Sequence, residues 1–225
     1  LENDIIFKEE YINVLQIQDK KLFANVINSL NDNINGIQNT KERIIILDND
    51  TEIKMEKEAL MVIDLFNIDF NQKKIQSALY NKIEKIYKQE FERMSEFQTL
   101  FQKLQLNVLD VFNEFPFEFN YKDSIGIQEY LKLLGLKISN NKGEIIDKIF
   151  SLIDAVEYLS VAKLLIFVNL KLYLSDDELN EIYKYAMYKK VNILLIETGE
   201  EKEPIKNEKI LFVDSDYDEI VLYNK

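Results

Sequence analysis

Residues 164–196 read LLIFVNLKLYLSDDELNEIYKYAMYKKVNILLI, and this stretch decides the fold. Leu164 to Val168 is an uninterrupted apolar run of strand length, as expected of a strand buried on both faces in a parallel sheet. Residues 192–196 repeat the pattern. Between them, Ser175 is followed three residues later by Glu178, a capping box that starts a helix running to about Lys189. Strand, helix and strand in this order predict a βαβ crossover.

Working outward, residues 210–213 predict a third strand and 220–222 an edge strand. Residues 144–159 predict an amphipathic helix, with Ile145, Ile149, Leu152, Ile153 and Val156 on one face. Near the other end, the β-branched run RIIIL at 43–47 and the weaker segment 11–17 predict strands. Asp19 is placed to cap a helix reaching Leu30, and 55–66 is a further helix candidate. From Gln72 to Phe112 there is neither Gly nor Pro, and the apolar stripes predict two long helices broken near 93–95. Phe115, Phe117, Phe119 and Tyr121 alternate with polar residues and Pro116, which predicts a short edge strand. A helix over 125–134 is closed by Gly135. The expected architecture is α/β: a head built from residues 1–66 and 136–225, and a helical leg at 67–135 inserted between them.

Composition narrows the chemistry. The 225 residues include no His, Cys or Trp, which excludes a structural zinc site, a thiolate nucleophile and a Ser-His-Asp triad. The five glycines, at 36, 126, 135, 143 and 199, make neither a phosphate-cradling GxxxxGK[ST] loop nor a GxGxxG turn. Nucleotide hydrolysis is therefore not expected, and the chain is read as a non-enzyme. No apolar run approaches the roughly 20 residues needed to cross a bilayer. The acidic stretch at 1–4 carries no apolar signal core, so a cytoplasmic protein is the expectation.

Charge is unevenly spread. The formal net charge is −12, with 7 basic and 14 acidic side chains in residues 1–72, 7 and 5 in 73–111, and 4 and 9 in 197–225. A locally positive middle can present a basic face while the rest repels polyanions. Lys132, Lys137 and Lys142 follow Lys73, Lys74, Lys82, Lys85, Lys88, Arg93 and Lys103. They are read equally well as phosphate contacts or as solvated surface. No base-reading motif accompanies them.

Three carboxylates, Glu118, Asp123 and Glu129, stand around one junction. They are either oxygen ligands for a hard cation such as Ca²⁺ or scattered surface acids, with Asp123 as a helix cap. The acidic run 214–219 lacks the glycine and terminal glutamate of a calcium loop and reads as a turn, as does 48–50.

Several stretches carry a resemblance. MEKEALMVIDLFNIDFN at 55–71, EYLKLLGLK at 129–137, IIDKIFSLIDAVEYL at 145–159, KLLIFVN at 163–169, LSDDELNEIYKY at 174–185, NILLIE at 192–197 and the Asp216-Tyr217 pair within 210–223 occur in an order and spacing that resemble the Csn-two family. These are the small adaptation proteins of type II-A CRISPR systems. The resemblance implies a P-loop-NTPase-like α/β head without a Walker motif and an inserted α-helical leg. It implies a homotetrameric ring that threads double-stranded DNA from its ends. It also implies Ca²⁺ held by carboxylates near the head–leg junction, and association with the CRISPR integrase proteins and the effector nuclease during spacer acquisition. On this resemblance Glu118, Asp123 and Glu129 are the metal ligands, and Lys132 and Lys137 face DNA; Lys142 joins them as the next lysine in the chain. The alternative is an interaction scaffold that recruits those partners and binds DNA weakly.

Overall fold

The computed structural model describes residues 3–8, 10–37, 47–48, 51–52, 54–139 and 143–224. Lys142 and most of the expected strand at 43–47 lie outside these residues. The chain divides into two compact units: residues 1–69 with 140–225, and residues 70–139.

The first unit is built on a six-stranded sheet in the order β4-β5-β6-β1-β7-β8. The strands are β1 (Ile12–Ile17), β4 (Ala59–Val62), β5 (Leu164–Val168), β6 (Asn192–Thr198), β7 (Glu208–Val213) and β8 (Glu219–Asn224). All neighbours run parallel except β8, which pairs antiparallel with β7. A separate two-residue ladder joins β2 (Leu47–Asp48) and β3 (Thr51–Glu52).

The central strands are buried on both faces, which is why their sequences are continuous apolar runs and not alternating ones. Leu15, Ile17, Leu164, Ile166, Leu194, Ile196, Leu211 and Val213 form one core. Leu22, Phe23, Val26 and Ile27 of α1 (Lys20–Ile34) pack against it. Asp19 caps α1 by accepting the Leu22 N–H at 2.7 Å. The alternate residues, Ile193, Leu195, Ile210 and Phe212, are buried too. α7 (Asp176–Lys189) packs on β6, and α6 (Ile145–Leu159) on α7. The Ser175–Glu178 capping box forms as the sequence predicts.

One expected helix is a single turn followed by a strand. Of residues 55–66, only α2 (Met55–Glu58) is helical, and the backbone opens at Ala59 (φ −117°, ψ 146°) into β4. A short apolar run has no periodicity of its own that separates strand from helix. Pairing with β5, Ala59 opposite Leu164 and Val62 opposite Phe167, decides it.

The second unit is helical, with α3 (Lys73–Gln89), α4 (Phe91–Phe112) and α5 (Ile127–Leu134). The break falls at Glu90 (φ −110°, ψ 88°), three residues before the expected place. Tyr80, Ile127 and Leu131 form its small core, with Leu79, Ile83, Tyr87, Met94, Phe97 and Leu136 packed around them. The Asn71 side chain takes both backbone groups of Ile138: its Nδ2 donates to the carbonyl at 2.9 Å, and its Oδ1 accepts the N–H at 2.8 Å.

The strand expected at 115–121 does not form. Among the described residues no partner strand lies beside it, and the aromatic rings satisfy one another instead. Phe119 stacks on Phe112 with ring centroids 4.6 Å apart and meets Phe115 edge-on at 5.9 Å.

Candidate nucleic-acid interface

The helix that carries most of the expected site residues is set by local chemistry. Gly126 precedes α5 in extended conformation, and Gly135 ends it in the left-handed region (φ 64°). Asp123 is not the cap. The Glu129 carboxylate reaches back to the Gly126 N–H at 3.1 Å. Its other oxygen accepts from Lys122 Nζ at 2.6 Å. Lys122 and the Gly126 N–H together hold the Glu129 carboxyl below the usual carboxylate range. Two glutamines of α4 fasten the approach to α5: Gln105 donates to the Lys122 carbonyl at 2.6 Å and Gln98 to the Ile125 carbonyl at 3.1 Å.

Glu118 and Asp123 are exposed. Among the described residues, no group of three or more carboxylates is gathered closely enough to hold a metal ion. Glu118, Asp123 and Glu129 therefore do not come together as a cation cradle within one chain. Lys122 already occupies one Glu129 oxygen. The donor set as placed does not fit Ca²⁺, which takes six to eight oxygens.

Lys132 lies in the last turn of α5, and Lys137 lies just beyond Gly135; both are exposed. Lys88 on α3 pairs with Glu84 at 2.8 Å, and that carboxylate also accepts from Gln128 of α5. The charge is partitioned between the two units. Residues 70–139 hold 10 basic and 9 acidic side chains, a net of +1, whereas the remaining residues hold 18 and 31, a net of −13. The lysines sit where the polyanion repulsion of the chain is weakest.

The carboxyl edge of the sheet, where α/β proteins of this kind bind phosphates, is built differently here. β1 passes to α1 through two residues, Gln18 and Asp19. The N–H of Leu22 that a phosphate would need is taken by the Asp19 carboxylate. Gln18 bridges the Glu200 carboxylate (2.9 Å) and the Ser215 N–H (3.0 Å). In the nearby turn, Asp214 accepts the N–H groups of Asp216 and Asp218 at 2.8 and 2.9 Å, so the acidic run 214–219 forms a self-capped turn. At this edge Asp19 and Asp214 accept three backbone N–H groups between them, and their charge has the same sign as a phosphate's.

Beneath α7 lies a polar network that the sequence reading did not find. Glu208 is fully buried and accepts from Lys171 Nζ (2.9 Å), Tyr183 Oη (2.7 Å) and the Ile205 N–H (3.0 Å). Burial pushes the Tyr183 hydroxyl well above its ordinary pKa. Glu197, also buried, accepts the Lys171 N–H at 3.1 Å, and desolvation raises its pKa to about 7. The only sequence signal was a glutamate at each of two strand ends, which ordinarily means an exposed position.

Residues 36–217 match the family described as CRISPR-associated protein (Cas_Csn2). The CRISPR-associated protein Csn2 of Streptococcus agalactiae is 24% identical over 190 residues, which cover 82% of this chain and 80% of that protein. The CRISPR-associated protein Csn2 of Enterococcus faecalis is 29% identical over 144 residues, which cover 62% and 64% of the two chains. The crystal structure of Stu0660 of Streptococcus thermophilus shares the fold, with a TM-score of 0.61 at 14% identity over 94% of this chain and 71% of the other. This chain belongs to the Csn2 family of CRISPR-associated proteins.

Proposed function

We propose that this protein binds double-stranded DNA without reading its sequence and without catalysis, as a closed homotetrameric ring serving CRISPR spacer acquisition. Family membership supports the CRISPR role. The observation that carries the DNA reading is the charge partition: a unit at +1, with Lys132 and Lys137 exposed on it, attached to a unit at −13. One such chain holds a polyanion poorly. Several copies that turn these lysines toward a shared axis hold it well, because each neutralised phosphate releases condensed counterions. Contacts to phosphates alone position the duplex and carry no sequence information.

Fluorescence anisotropy with linear and covalently closed duplexes at 50 to 200 mM salt tests this reading. Binding that needs an end, and that weakens steeply with salt, supports a threaded ring. No binding at the lowest salt sinks it and leaves the scaffold reading, in which the chain recruits the integrase proteins and the effector nuclease.

A further inference from the structure

β8 is the last strand of its sheet, and among the described residues β7 is its only neighbour. The ladder between them runs without a bulge, from Val213 opposite Glu219 to Glu208 opposite Asn224. The Asp214 N–H donates to the Asp218 carbonyl at 3.1 Å. Bonded pairs alternate along an antiparallel ladder, so Phe212 with Ile220, Ile210 with Leu222 and Glu208 with Asn224 are the bonded ones. On the far side of β7 the Val213 carbonyl accepts the Gln18 N–H at 2.9 Å, which agrees with this alternation. The N–H and C=O groups of Val221 and Tyr223 therefore point away from the sheet, and no described residue bonds them. Proteins ordinarily blunt such an edge with proline, lysine, a bulge or a covering segment. Residues 220–224, IVLYN, hold no charge and no proline, and Ile220, Val221 and Tyr223 are 41, 46 and 44% exposed. The strand is also held firmly. The Tyr223 ring meets Tyr11 edge-on at 5.5 Å, and the Asn224 side chain donates to the Pro204 carbonyl at 2.9 Å.

We propose that the outer edge of β8 is a docking site for an extended, lysine- or arginine-bearing segment of another protein, which joins the sheet as a further strand. Only an extended backbone offers donors and acceptors at the spacing that Val221 and Tyr223 present. Because the edge is already ordered, the entropy cost of docking falls on the incoming segment alone. Charge decides which segment fits. The turn that leads into β8 exposes Asp216 and Asp218, and neither has an ion-pair partner among the described residues. Glu219 is engaged by the Asn3 side chain at 3.0 Å, which leaves those two acids to meet the newcomer. The unit that carries β8 has a net charge of −13. A second copy brings that same charge to the edge and is repelled, whereas a segment with lysines beside the turn is drawn in. β-branched or aromatic residues opposite Val221 and Tyr223 complete the cross-strand contacts. β8 lies outside the unit that bears Lys132 and Lys137, so this inference does not draw on the duplex reading.

Labelled peptides test it. The probe is a short fluorescein-tagged peptide that alternates Thr and Val and carries lysines at both ends; a second version carries glutamates there instead. Fluorescence anisotropy at low salt reads binding to the full chain, and amide hydrogen exchange reads its place. The lysine peptide binds and slows exchange at Val221 and Tyr223, and the glutamate peptide binds about tenfold more weakly or worse. Val221→Pro removes one outward N–H without touching a bond to β7, and weakens the lysine peptide about tenfold or more while circular dichroism stays unchanged. The same peptide N-methylated along its backbone does not bind the wild type, a control that leaves the protein unaltered. Asp216→Lys with Asp218→Lys reverses the preference between the two peptides. No binding of the lysine peptide, equal binding of its glutamate or N-methylated versions, or slowed exchange elsewhere than on β8 overturns the proposal. So does self-association of the wild type that Val221→Pro abolishes, since a second copy then holds the edge.

Discussion

Glu197→Gln is expected to stabilise the protein above neutral pH and to leave it nearly unchanged near pH 5. Glu197 is 4% exposed, and the pKa of its carboxyl is raised from its ordinary 4.5 to about 7, chiefly because burial disfavours the charged form. Lys171 lies beside it, but its ammonium is bound to Glu208 at 2.9 Å. In the folded state Glu197 therefore keeps its proton between pH 4.5 and 7, where the unfolded chain has already released it. The folded state binds more protons in that window, so stability is fully present below pH 4.5 and falls as pH rises through 7. With about 1.4 kcal/mol for each tenfold in the proton equilibrium, the full loss is about 3 kcal/mol. Glutamine keeps an oxygen to accept the Lys171 N–H and carries no charge to desolvate, so the variant escapes this loss.

Urea unfolding at pH 5 and pH 8 measures it. The wild type loses stability between the two, and the variant loses less by about 2 to 3 kcal/mol. The carboxylates whose pKa is held low, among them Glu58, Glu84 and Glu178, are the same in both proteins and drop out of the comparison. Repulsion within a chain of net charge −12 also grows with pH, but it is common to both proteins. A variant less stable than the wild type at both pH values would refute the reasoning.

Lys132→Gln and Lys137→Gln should each lower the slope of log K against log salt for duplex binding by about 0.9. Equal slopes in titrations of both variants and the wild type would remove these lysines from the interface. Tyr183→Phe deprives the buried Glu208 of one donor and should cost about 1 to 3 kcal/mol in denaturant unfolding. Gly135→Ala meets no atom within 4 Å but is strained by φ 64°, and should cost about 1 kcal/mol through the backbone alone. Millimolar Ca²⁺ should leave the thermal midpoint of the wild type unmoved, since Lys122 already satisfies Glu129; a saturable upward shift in differential scanning fluorimetry would count against this.

The parts of the fold that were legible in sequence are those whose signal is local. The capping box at Ser175, the Asp19 cap, Gly135 and the buried runs at 164–168 and 192–196 each specify their own conformation. Residues 59–62 and 115–121 depart from the sequence expectation because pairing decides them. Ala59–Val62 becomes a strand through β5, and the alternating aromatics, with no strand beside them, close on themselves. The site divides the same way. The exposed lysines were visible as charge, but the Lys122–Glu129 contact spans a loop whose course no short-range pattern encodes. The Lys171–Glu208 pair is less legible still, since it joins residues 37 apart from opposite sides of a crossover helix.

The Asn71–Ile138 double hydrogen bond has a consequence for how such a chain changes over time. It joins the two ends of the helical unit, 67 residues apart in sequence, through one donor and one acceptor, as a rung joins two strands. To the rest of the polypeptide, everything beyond that rung counts as one tight bend. Its helices can lengthen, shorten or be exchanged wholesale while the stems stay in register, and closing a longer bend adds only a logarithmic entropy cost. A miniature in which residues 72–137 give way to a short glycine-containing turn should retain the sheet.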